Sequence, residues 1–216
     1  MQPSVHLPVR RARGDKSRAA ILAAAERVFA ESGLAGARTD AIAAAAGVNK
    51  ALLYYYFQSK EHLYEAVVEN HLREFNRAAL GVLTAAGSPR TNLLRYVNLH
   101  FDFISARRHQ ARLFQQMMTT GGQPAQRLVR LYFSPRSRAL QNLLARGMRT
   151  GDFRRADPFH SAVSIAALIV FYFSAAQVLR WLGHADAHSE ANLKRRKQEV
   201  LDFIRYGLFV NPHPSI

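Results

Sequence analysis

The 216-residue chain contains no cysteine. That excludes a disulfide scaffold, thiol chemistry and any cysteine-ligated metal site. Acidic residues are scarce too. Fifteen Asp and Glu stand against 30 Lys and Arg, a formal net charge of +15. An excess of that size suits nucleic acid or another anionic surface as partner. It is unevenly spread: residues 1–60 hold nine basic and four acidic side chains, whereas 88–155 hold thirteen and two. Charge therefore supports nucleic-acid binding without locating it. There is no Gly-rich phosphate loop, no Gly-x-Ser-x-Gly turn and no pair of carboxylates in an apolar setting. Neither an enzyme nor a bound cofactor is expected. The start, MQPSVHLPVRRARGDK, lacks the apolar stretch of a secretion signal, so the cytoplasm is the expected location.

The stretch that organises the rest is 38–57, RTDAIAAAAGVNKALLYYYF. It reads as two short helices around a tight turn. Thr39 is expected to cap the first helix and Asp40 to sit at its positive end. Ile42, Ala43 and Ala46 form its apolar stripe, and Gly47 permits the left-handed residue that ends it. Val48 plugs the corner, and Asn49 caps the second helix. There, Leu53 and Phe57 lie four apart and point inward. Lys50, Ala51, Leu52, Tyr54, Tyr55 and Tyr56 are left for other faces. Three consecutive tyrosines cannot all face one core, and an outward phenol can bond a phosphate oxygen. This pattern predicts a helix-turn-helix rather than an ordinary alanine-rich hairpin.

Two short helices need a third behind them. Residues 16–32 supply it, with Ile21, Leu22, Ala25, Val28 and Phe29 on one face and Gly33 at the end. Residues 1–15 read as a loose basic arm, since Pro3, Pro8 and Gly14 oppose a helix. That arm either touches DNA or is a solvated tail. After Phe57, Ser59 caps a long helix to about Leu83 that carries Leu63, Val67, His71 and Phe75 on a stripe.

Residues 17–64 resemble the N-terminal domain of the TetR/AcrR family of bacterial repressors. The resemblance rests on Ile21-Leu22, Ala24-Ala25, Phe29, Gly33, Thr39, Ile42-Ala43, Ala46-Gly47-Val48, Leu53-Tyr54, Tyr56-Phe57, Ser59-Lys60-Glu61 and Leu63. Asn49 stands where Ser is usual, and Ala51-Leu52 where Gly-Thr or similar is usual. The resemblance implies an all-α homodimer of about nine or ten helices: a DNA-binding domain (16–75) and a helical effector-binding and dimerisation domain (76–211). It implies that Thr39, Tyr54, Tyr56 and Lys60 hold phosphates. Lys50, Ala51, Leu52 and Tyr55 are then expected at base edges, with Arg38 and Asn49 completing the DNA-facing set. Leu52 suits a thymine methyl and Lys50 suits guanine.

The second half has to be read from its residues. Gly87-Ser88-Pro89 marks a boundary, followed by helices over about 90–107, 109–119 and 126–133. Ser134-Pro135 either starts a new helix or kinks one that runs to Thr150, and Asp157-Pro158 opens the next. Residues 162–179, AVSIAALIVFYFSAAQVL, are the most apolar in the chain. Gln177, nearby serines and Arg180 favour a helix buried in protein over a membrane span. With the last helix (about 189–208) it is expected to form a four-helix dimer seam through Ile169, Phe173, Val200 and Ile204. His100, Phe103, Phe114, Met117, Met118, Phe171, Tyr172 and Gln177 are candidates to line an effector pocket, with plain core packing the alternative. The basic excess of this half favours an anionic effector. His184, Asp186 and His188 read as a polar loop rather than a metal site. The functional expectation is a ligand-responsive repressor that binds a palindromic operator. The alternative is a helical small-molecule-binding protein with a non-functional DNA head.

Overall fold

The structure is a computed structural model that describes residues 8–107, 122–184 and 186–211. The described residues are almost entirely helical. Their one β feature is an isolated antiparallel bridge between Phe153 and Phe209. Two compact units, Met1–His71 and Leu72–Ile216, divide inside a helix, four residues before the break expected after 75.

The first unit begins with α1 (Pro8–Gly36). The expected loose arm, 1–15, is thus helical from Pro8 onward. Proline in a first turn gives up an N–H that has no helical partner anyway, and Gly14 costs only about 1 kcal/mol. The regular helix breaks at Gly33, whose φ of 66° and ψ of 178° no helix accommodates. Next come α2 (Thr39–Ala45), α3 (Lys50–Phe57) and α4 (Lys60–Leu83). Ile21 and Phe29 of α1, Ile42 of α2, Leu53 of α3 and Leu63 of α4 are all fully buried. Phe29 meets Tyr64 edge-on at 5.1 Å. These contacts are what the two short helices, α2 and α3, need in order to persist.

The second unit takes the rest of α4 and adds α5 (Pro89–Ala106), α6 (Gly122–Leu128), a π-helical turn (Val129–Phe133) and α7 (Ser134–Thr150). It closes with α8 (Pro158–Ser174), α9 (Ala176–Trp181) and α10 (Glu190–Leu208). Residues 109–119, expected as a helix, lie outside the described residues. Of the two expectations at Ser134-Pro135, the first holds: α7 starts at Ser134 with Pro135 in its first turn, although Ser134 is not its cap. Pro135 has no N–H, and its ring would crowd the carbonyl of Leu131 in a regular α-helix. Leu131 lies inside the π turn, which widens the coil there. The Ser134 hydroxyl donates to the Val129 carbonyl at 3.2 Å. Helix α7 stops at Gly151, which is left-handed at φ 80°. The apolar stretch 162–179 is not one helix, because Ala175 leaves helical geometry (ψ 15°) with its methyl buried. No helix among the described residues is long and apolar enough to cross a membrane.

The core of this unit joins Phe75, Ala79 and Leu83 to residues of α5, α7, α8 and α10. At one end Phe153 is folded back and stacked on Phe209 at 5.3 Å. The turn is held by Arg154 N–H to Leu208 O (2.9 Å) and Val210 N–H to Asp152 O (3.1 Å). Gly147 makes room for it: a Cβ there would fall 2.2 Å from the Phe153 ring. Gly147→Ala is therefore expected to destabilise by at least about 1–3 kcal/mol, the usual cost of overpacking. Urea unfolding checks this, and an unchanged midpoint would show that the ring is free to move aside.

Candidate nucleic-acid interface

The turn between α2 and α3 forms as its residues dictate. Ala46 closes α2, Gly47 is left-handed at φ 65°, and the Val48 N–H returns to Ala43 O at 3.0 Å. Asn49 is extended and its Oδ1 accepts from the Leu52 N–H at 2.8 Å. Thr39 does not cap α2. The cap residue is Arg38 (φ −101°, ψ 129°), which makes no side-chain cap bond. Thr39 is already helical, so its hydroxyl is carried outward to within 3.4 Å of the Tyr54 hydroxyl.

With Leu53 and Phe57 buried beneath it, α3 has a fixed outer face. Tyr55 is 78 % exposed and Tyr54 39 %. Lys50 and Ala51 are exposed, while Leu52 and Tyr56 are half-buried. Tyr55 and Tyr56 meet edge-on at 5.3 Å, and the Arg18 guanidinium lies 5.3 Å from the Phe57 ring. Sequence reasoning missed Arg18, since nothing in its spacing points to a ring thirty-nine residues away.

Arg38, Thr39, Tyr54 and Lys60 come together around one open depression, which Asp40 and Glu61 also border. Hydroxyls and cations so grouped suit a phosphate oxygen. Lys60 is pre-positioned, because its Nζ donates to the carbonyls of Ala37 (3.2 Å) and Ala35 (3.4 Å). Lys50 and Asp40 form an exposed ion pair at 2.8 Å. The hydrogen bond from Lys50 lowers the Asp40 pKa, and the same bond raises that of Lys50. Such exposed pairs are weakly held, so Lys50 can exchange its carboxylate for a base edge or phosphate.

The pocket candidates of the second unit separate. His100 is buried, with its ring 4.7 Å from that of Phe75, and half-buried Phe103 lies 4.8 Å from the same ring. Phe114, Met117 and Met118 lie outside the described residues. Phe171 is 67 % exposed, and Gln177 is exposed with its Oε1 accepting from Arg180. The Tyr172 hydroxyl donates to Ala187 O. These three do not join His100. Helix α8 buries Ala162, Ile165, Ile169 and Phe173, so position 171 points away from that stripe.

The dimer residues also need correcting. Ile169, Phe173, Val200 and Ile204 are all at least 95 % buried in the chain's own core, and a second copy cannot reach them. The outward apolar groups on the same helices are Phe159, Val163 and Phe171 of α8 and Phe203 and Tyr206 of α10, each more than half exposed. Periodicity finds both stripes but does not say which one faces in. Among the described residues, no group of three or more His, Asp or Glu is placed to hold a metal ion.

Comparison with known proteins matches both units. Residues 21–67 match the tetR family of bacterial regulatory proteins, and residues 89–204 match a tetracyclin repressor-like C-terminal domain. The chain is 35 % identical over 95 residues to the HTH-type transcriptional repressor NicS of Pseudomonas putida, covering 44 % of this chain and 45 % of that one. It is 38 % identical over 90 residues to the HTH-type transcriptional activator FasR of Mycolicibacterium smegmatis, covering 42 % and 41 %. The chain spans about half the length of the curated relatives it matches. Among solved structures, it shares the fold of AibR in complex with isovaleryl coenzyme A and operator DNA. There the TM-score is 0.71 at 17 % identity, covering 87 % of this chain and 97 % of that one. With family matches over both units and this helix-turn-helix, the chain belongs to the TetR family of bacterial regulatory proteins.

Proposed function

We propose that this chain is a sequence-specific DNA-binding transcriptional regulator, a ligand-responsive repressor that grips a palindromic operator as a homodimer. The observation that carries this reading is the outer face of α3. Tyr54 and Tyr55 are held outward by the burial of Leu53 and Phe57. Arg38, Thr39 and Lys60 gather around Tyr54. An eight-residue helix on a three-helix support fits a DNA major groove. In this reading Thr39, Tyr54, Tyr56 and Lys60 hold phosphates, while Lys50, Ala51, Leu52 and Tyr55 meet base edges.

The homodimer is supported by the exposed apolar stripes of α8 and α10, helices joined by a hydrogen bond from Arg196 to Leu168 O at 2.7 Å. Paired with a second copy they make a four-helix seam. Two recognition helices then enter successive major grooves, about one turn or roughly 34 Å apart. Helix α4 contributes residues to both units and is the covalent route by which a bound small molecule shifts the population of DNA-competent dimers. The relatives named above act in transcription, and AibR carries both ligand and operator DNA, which supports the same assignment here. The place of action is the cytoplasm.

Selection of bound fragments from bulk genomic DNA tests the proposal. An enriched imperfect palindrome is expected. Failure to enrich any palindrome would leave a helical small-molecule-binding protein with an idle head. On the selected site, Tyr54→Phe is expected to weaken binding by a similar factor for every sequence, whereas Leu52→Ser is expected to alter base preference. Gel-shift titration against a panel of altered sites reads both, and the opposite pattern would reverse the two roles. Phe203→Glu is expected to leave the monomer's stability within about 0.5 kcal/mol, as for an exposed position, yet to produce monomers in sedimentation. A persistent dimer would place the seam elsewhere.

A further inference from the structure

Arg136 on α7 is 8 % exposed and is one of four buried polar or charged residues among those described. Its guanidinium lies 4.8 Å from the Phe75 ring and 4.6 Å from that of Phe133. Stacking of this kind engages the faces of the group and leaves its in-plane N–H donors to find partners. The Tyr96 hydroxyl is a hydrogen-bonding neighbour, but Nη1 has no partner. Buried His100 shares the Phe75 ring, and its Nδ1 is likewise unpartnered. Asn76, also buried, leaves its Oδ1 without a partner.

A buried guanidinium is normally offset by a carboxylate, and among the described residues none stands beside Arg136. Not one acidic residue occurs between Asp102 and Asp152. The flanking carboxylates are engaged elsewhere: Asp102 with Lys197 (2.8 Å), Asp152 with Arg90 (3.3 Å) and Glu74 with Arg107 (2.6 Å). His100 adds no charge of its own. Burial, and after it the charge of Arg136, pull its pKa down to about 3, so it is neutral at physiological pH.

We propose that Arg136 anchors the carboxylate of a small organic acid whose apolar body lies against Phe75 and Phe103. This rests on the reading that the second unit binds an effector, and it names the effector's chemical class. A guanidinium fork matches a carboxylate in shape and charge. The other guanidinium nearby, Arg107, stacks 4.4 Å over Phe103 and is already paired with Glu74, so Arg136 balances a single negative charge, which favours a monoanion over a phosphate dianion. The aromatic wall supplies the apolar contact, and His100 offers a neutral imidazole to a second oxygen.

Thermal-shift and calorimetric titrations of the full chain test this, with benzoate and octanoate as probes and benzamide and octanamide as their uncharged counterparts. At least one acid is expected to raise the melting temperature saturably where its amide does not. Arg136→Met should weaken that binding roughly thirty-fold or more, as when one partner of a buried charge pair is lost. Arg136→Lys keeps the charge without the fork, so it should fall between Met and wild type and stands in should Met fail to fold. Amides that bind as well as their acids, acids that fail to bind, or an Arg136→Met that binds as tightly as wild type would each overturn the proposal. The selected palindrome separates the two readings. DNA that is bound and released by the amides alone refutes the acid anchor and keeps the regulator. Acid binding lost in Arg136→Met without any enriched palindrome keeps the anchor and refutes the regulator.

Discussion

Everything in the first unit depends on Leu53 and Phe57 being buried. Helix α3 has eight residues, too few to persist alone in water. Burying a leucine and a phenylalanine contributes about 3–6 kcal/mol, and the Asn49 cap adds about 1. With those two side chains seated against α1 and α2, the rotation of α3 is no longer free. Tyr54, Tyr55, Lys50 and Ala51 have nowhere to go but outward. The apolar anchor thus decides which polar groups a partner meets.

That logic was legible in the residues because every signal agreed. Gly47 and Asn49 mark the turn, the four-residue spacing of Leu53 and Phe57 marks the inner face, and the tyrosines are the remainder. Thr39 was misread because capping rules name the residue type and not which neighbour stays extended. The backbone turns helical one residue earlier than a Thr39 cap requires, and the hydroxyl goes to Tyr54 instead. The helical start at Pro8 was missed for a related reason: proline opposes a helix interior but suits a first turn.

In the second unit the elements were readable and the faces were not. Helix α8 is apolar all round, so Ile169 and Phe171 look equally suited to a core or an interface. Only packing against α5 and α7 decides that Ile169 faces in and Phe171 out. The Ala175 break and the π turn before Pro135 are tertiary outcomes that periodicity does not encode. Arg136 was overlooked inside a general basic excess. The useful signal was the long acid-free stretch around it, which leaves a buried cation with no carboxylate beside it among the described residues.

Site-specific photo-crosslinking on the selected DNA tests the central claim most directly, using a photoreactive phenylalanine analogue at position 55 and, in a second protein, at position 53. The account predicts adducts to bases in each half-site from position 55 and none from position 53, where the probe is enclosed by the protein. Equal crosslinking from both positions, or none from position 55 on DNA that remains bound, would contradict it.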